Sequence, residues 1–214
     1  QKYSVPTKPD FYVNFTIKAP WRGKQYIKAF RSIIDNKAVL HHWLLYRQLP
    51  GATQTESVLL DSSGAHPDGE LLYGWAPGGD DLYFDPDLGI AIDEGTYFQL
   101  ETHYNNLTNG LKPDGSGVEV CVTPHAPQHL AAQAWLGNDR INGTTSVGTC
   151  TPENKEPVHI ILANPHMHKT GVHMKVDLTR TDGSVTTFHD ENFDFNYQRS
   201  YTFDNFVVQP GDKL

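Results

Sequence analysis

Between Phe11 and Lys18 the chain alternates strictly: Phe11, Val13, Phe15 and Ile17 lie on one side, Tyr12, Asn14, Thr16 and Lys18 on the other. A period of two is the repeat of a strand with one buried face, and it cannot form the apolar stripe of a helix, whose repeat is 3.6. Pro20 closes the segment. "QYIKAFRSII", "AVLHHWLLYRQL", "GTYFQLETHYNN" and "GVEVCVTP" predict further strands, and Pro50 to Pro86 reads as loop, with "SSGAHPDGE" and "APGGDD" as turn clusters. A second set runs through "AAQAWLG", "VHIILANPHMH", "VHMKVDLTR", "VTTFHDENFDF" and "YTFDNFVV". No segment of ordinary helical length shows helical periodicity. The many Gly, Pro, Tyr, Phe and Thr residues agree with an all-β chain rich in turns. The simplest architecture is two antiparallel β-sandwich domains, 1–127 and 128–214, with Pro124 and Pro127 marking the boundary.

A formal net charge of -8, with Lys and Arg dispersed, provides no basic footprint for nucleic acid and no polybasic membrane patch. The longest apolar runs are far too short to span a bilayer. The chain starts at Gln1, which suggests a removed leader, and Asn14-Phe-Thr16, Asn106-Leu-Thr108 and Asn142-Gly-Thr144 are glycosylation triplets. Together these favour a secreted, lumenal or periplasmic protein. Cys121 and Cys150 could pair with each other or stay apart.

The histidines are the candidate chemistry. There are 11 in 214 residues, enough for chance alone to supply about half of one His-His pair and as much His-x-His. One of each occurs, His41-His42 and His166-x-His168, both at apolar strands, and His103 has the same setting in "FQLETHYNN". A buried His is more often a hydrogen-bonded core residue than a ligand. On a regular strand His166 and His168 share a face, whereas His41 and His42 point apart. To share an ion, the latter pair needs a bulge, or coordination through Nδ1 rather than Nε2. His66, His125, His129, His159 and His189 read as structural or exposed, and His173 is doubtful. No nucleophile elbow, P-loop, H-E-x-x-H or C-x-x-C is present, and "HDENFDF" lacks the spacing of an EF-hand loop.

In order, "AVLHHWLLY", "QLETHYNN", "PHMHKTG", "ENFDFNYQ" and "VVQPGDKL" resemble the copper type II, ascorbate-dependent monooxygenases, the family of dopamine β-hydroxylase and peptidylglycine α-hydroxylating monooxygenase. The resemblance runs from about Phe11 to Leu214 and is closer to the dopamine β-hydroxylase branch. It implies two β-sandwich domains facing each other across a cleft, two copper ions, ascorbate as reductant and O2 as co-substrate. His41, His42 and His103 would hold the electron-storing copper. His166 and His168 would hold the copper at which oxygen binds and a substrate C–H bond is hydroxylated. The substrate would be a small amine, phenolic or peptide-like molecule, with Glu101 a candidate amine partner.

In the family a thioether completes the second site, from a Met beyond the stretch resembling "QPGDKL", and this sequence stops at Leu214. Met167 should point away from its flanking histidines; Met174 shares the even-numbered parity of His166 and His168 and is the remaining, weak substitute, with Gly171 interrupting the strand between them. The resemblance also implies a disulfide partner for Cys150 further along the chain. Cys121 is expected as a buried free thiol. A noncatalytic copper-binding or lectin-like β-sandwich, and a three-His zinc hydrolase, are the competing classes.

Overall fold

The computed structural model describes residues 2–48, 58–60, 69–137, 143–167 and 170–214. His66, Asn142 and His168 lie outside the described residues. The chain forms two compact units, Gln1–Gln133 and Ala134–Leu214. Among the described residues every regular element is a strand. The first unit holds β1 (Tyr3–Val5), β2 (Lys8–Lys18), β3 (Gln25–Ile33), β4 (Leu40–Gln48), β5 (Val58–Leu60), β6 (Gly69–Trp75), β7 (Leu82–Tyr83), β8 (Leu88–Ile92), β9 (Tyr97–Asn106), β10 (Lys112–Asp114), β11 (Gly117–Thr123) and β12 (His129–Leu130). The second holds β13 (Val158–Ala163), β14 (His173–Thr179), β15 (Val185–Asn192) and β16 (Tyr201–Val208). The protein is all-β, and no described helix is long and apolar enough to cross a membrane.

The first unit is a sandwich. One sheet has the order β5-β2-β9-β4-β6, and the other runs β11-β3-β8-β12 with β7 also on β3. Phe11, Val13, Trp43, Leu45, Phe98 and Leu100 from the first sheet meet Ile27, Phe30, Ile90 and Ile92 from the second in one core. Across it, Phe30 stacks on Tyr73 with ring centroids 5.1 Å apart. Burying each such side chain stabilises the fold by roughly 1.5–3 kcal/mol. The alternation of β2 holds where the second sheet covers it; near the strand end Ile17 is 51% exposed. β12 pairs in parallel with β8, which keeps His129 and Leu130 in this unit.

Asn106 shows why a triplet is a weak signal. Its amide donates to the Val5 and Gly110 carbonyls and accepts from the Thr108 N–H and hydroxyl, and the residue is fully buried. Asn14 is 3% exposed in β2. Neither amide can carry a glycan in this fold, so these two triplets lend no support to secretion.

The second unit consists of two antiparallel ribbons, β13 with β16 and β14 with β15. Phe188 packs on Phe203 and Phe206 at centroid distances of 4.5 and 4.6 Å. Four expectations fail. "GELLYGW", inside the stretch read as loop, is β6, and "AAQAWLG" forms no strand beyond the parallel pairing that ends at Leu130. β13 stops at Ala163, before the His-x-His pair, because Pro165 has no N–H for a ladder. Cys121 is exposed, since it falls on the outward parity of β11, while Val120 and Val122 pack on the core. Both cysteines are free thiols, and the Cys150 backbone pairs with that of Leu214.

The buried Asp212 carboxylate accepts from Arg180 Nη1 at 2.6 Å and the Gln209 N–H at 2.8 Å, next to the Thr179–Lys213 bridge. Burial opposes its ionisation, but the Gln209 N–H and Arg180 outweigh that and hold it below the ordinary value. A carboxyl whose folded pKa is depressed contributes stability above its unfolded pKa and loses it as pH falls through the folded one. Below about pH 4 the Gln209 and Lys213 amides should therefore lose hydrogen-exchange protection. Asp212→Asn should lower that protection at neutral pH and flatten its acid dependence.

Candidate metal centre

β9 pairs with β2 on one side and β4 on the other, so its two faces are fixed by the ladders. Phe98, Leu100 and Tyr104 enter the core, and Gln99, Glu101 and His103 take the opposite face. On that face His103 lies opposite both Tyr12 and His42. The β4–β9 register shifts between Leu40 and His42, because Leu40 pairs with Tyr104 and His42 with the adjacent His103. His41 is the extra residue of a bulge, which frees it from regular alternation. Its ring thereby joins that of His42.

The three rings meet through their Nδ1 atoms. His41 Nδ1 is 3.0 Å from His42 Nδ1, which is 3.4 Å from His103 Nδ1, and one nitrogen from each ring lies within 4.8 Å of the others. An ion held at about 2.0–2.1 Å by imidazole nitrogens, as zinc is, places its ligand atoms roughly 3–3.6 Å apart. The donor set fits, since imidazole suits copper in either oxidation state. His103 is 8% exposed, and burial lowers its pKa despite the opposing pull of Asp10, which favours the neutral, ligand-competent ring. Tyr12 stacks on it at 4.2 Å with planes 12° apart, and its Nε2 meets Asp10 Oδ1 at 2.5 Å. Neither Tyr12 nor Asp10 belongs to any pattern that singles it out in the sequence.

Glu101, the candidate amine partner, is 2% exposed in the next row of the face, between Asn14 and Leu44. Its Oε1 has no hydrogen-bond partner among the described residues, and burial pushes its pKa up to about 7. It is a shielded carboxyl, not one presented on an open surface.

The second histidine pair is only partly described. His166 follows β13 in a non-strand segment, and its Nδ1 contacts Gln198 Oε1 at 2.7 Å, so a metal there would be met by Nε2. Gln198 is 3% exposed and ends the "ENFDFNYQ" motif. The turn that presents it is closed by the Tyr197 N–H on the Asp194 carbonyl and the Asn196 N–H on the Asp194 carboxylate. Met167 packs over Gly171, where a Cβ would lie 2.9 Å from its sulfur. Met174 lies on β14 opposite Glu191, so it shares no strand with His166, and the parity argument that favoured it does not apply. His173 pairs with Asp190. Among the described residues, only His41, His42 and His103 form a cluster of metal-binding groups.

The N-terminal-domain profile of the copper type II ascorbate-dependent monooxygenases matches residues 1–110, just over half of the chain. The chain belongs to this family. Among curated relatives, DBH-like monooxygenase protein 1 of Gallus gallus is 26% identical over 247 aligned residues, covering 98% of this chain and 40% of the relative. DBH-like monooxygenase protein 2 of Mus musculus is 28% identical over 225, covering 89% and 35%. The chain thus spans well under half the length of these relatives. The His41–His42–His103 cluster is the group among the described residues that could hold a metal ion, and all three histidines fall within the matched region.

Replacing His41, His42 or His103 by Ala should each weaken copper binding at this site by more than about 100-fold, beyond the loss caused by removing an outer-sphere partner. Chelator competition on the metal-free protein measures it.

Proposed function

We propose that this chain carries the two copper sites of an ascorbate- and O2-dependent monooxygenase that hydroxylates a C–H bond of a small organic substrate. The observation that supports this most is the convergence of three Nδ1 atoms on one sheet face, within the part of the chain that matches the family. His41, His42 and His103 hold the electron-storing copper, and His166 with His168 contributes to the oxygen-activating one. When bound, the two ions supply electron storage and oxygen activation. Tyr12 fixes the plane of His103, and Gln198 fixes the ring of His166.

An amine, phenolic or peptide-like substrate, the domain roles of 1–127 and 128–214, and a secreted or lumenal setting belong to the same proposal. The DBH-like names of the relatives support the branch.

The test has two parts. Copper analysis should find two ions per chain, one lost in His41→Ala and the other in His166→Ala. Ascorbate-dependent oxygen uptake, measured in a chain extended beyond Leu214 to the length of the relatives, should require both. Two coppers without uptake on any amine, peptide or phenol would favour a binding protein. Zinc alone, or one copper indifferent to both substitutions, would sink the two-site reading.

A further inference from the structure

Asp10 stands out on three independent counts. It is the one non-glycine residue with positive φ among the described residues, at 53°. It lies in a second bulge: β2 pairs Lys8 with Asn106 and Phe11 with Tyr104, so Pro9 and Asp10 together face Asn105. Its carboxylate reaches His103 Nε2 at 2.5 Å, although its own side chain is 75% exposed. Asp visits the left-handed region more readily than most residues, so the dihedral alone carries little. What matters is where the turn sends the carboxylate. In bulges with a left-handed residue, glycine is the usual occupant because it has no Cβ. Here the position holds the side chain that meets His103.

The hydrogen bond has a consequence at the far side of the ring. An ionised carboxylate can only accept, so His103 Nε2 carries the proton. A neutral imidazole has one N–H, which leaves Nδ1 as a bare lone pair. That atom is the one 3.4 Å from His42 Nδ1. Thus the two bulges flank β9 from opposite sides: one brings His41 into the cluster, and the other aims the group that sets His103's tautomer. Tyr12, stacked on the ring, limits its rotation.

We propose that Asp10 is a positioning residue of the metal centre, whose left-handed backbone places a carboxylate on His103 Nε2 and so commits Nδ1 to the ion. This rests on the metal reading of the histidine cluster. The role is that of the carboxylate in a carboxylate–histidine–metal arrangement, whose loss typically costs about 10–100-fold in metal affinity.

The experiment compares the parent with Asp10→Gly and Asp10→Asn on the full chain. Nitrogen-15 NMR of the metal-free protein reads the His103 tautomer, copper competition reads affinity, and melting reads stability. The parent should show the Nε2–H form. Asp10→Gly should mix the tautomers and bind copper about 10–100-fold more weakly. Its metal-free melting temperature should hold or rise, because glycine relieves the left-handed backbone. Asp10→Asn keeps an accepting oxygen and tolerates the same φ, so it should restore the tautomer and most of the affinity. A parent with its proton on Nδ1 would overturn the inference. So would an Asp10→Gly variant that melts lower yet binds copper within about threefold of the parent. Copper binding unchanged in His42→Ala would overturn the cluster reading itself, whereas loss in His42→Ala without loss in Asp10→Gly overturns only the role of Asp10.

Discussion

β9 has no free edge. It is hydrogen-bonded to β2 and β4 along nearly its whole length, so each of its side chains is assigned to a face by the ladders rather than by its own preference. Phe98, Leu100 and Tyr104 therefore anchor the sandwich core, while Gln99, Glu101 and His103 are committed to the other face. In their ladders with β9 the two neighbouring strands shift register only near His103, at Pro9–Asp10 and at His41. A rigid central strand with irregular flanks delivers groups from three chain segments to one point without disturbing the core.

The face below the histidines is unusually polar for a closed surface. Asn14, Gln99 and Glu101 are each at most 3% exposed, and Gln48 donates to Gln99 Oε1 at 3.1 Å. Buried polar groups without full satisfaction cost free energy, so their retention beneath the histidine row is compensated by the large apolar core on the reverse of the same sheet. That asymmetry separates stability from chemistry within one sheet.

Much of this is legible in the sequence itself. The period-two segments around Phe11, Trp43 and Leu100 define β2, β4 and β9, and the adjacency of His41 and His42 calls for a bulge or for coordination through Nδ1 if both are to meet one ion. What local pattern could not reveal depended on partners distant in sequence. β6 hides in a Gly-rich stretch because its pairing with β4, not its propensity, makes it a strand. The strand expected through His166 ends early because one proline removes a ladder donor, and Cys121 is exposed because its parity is set by β3. Asp10 carries no signature at all, and Gln198 shows only as the last residue of "ENFDFNYQ" without a role, since each matters through a contact with a distant histidine, 93 and 32 residues away in sequence.

Convergence through Nδ1 also has a mechanical side. Nδ1 belongs to the part of the imidazole nearest the backbone, so an ion held there lies close to the strands rather than at the tips of swinging rings. With His41 and His42 on β4 and His103 on β9, it would act as a rivet between two neighbouring strands at the very place where their ladder skips a residue. The metal and the bulge then share one job. The bulge would make such a ligand set possible, and a bound ion would lock the slipped register that the backbone ladder alone would leave weakly determined.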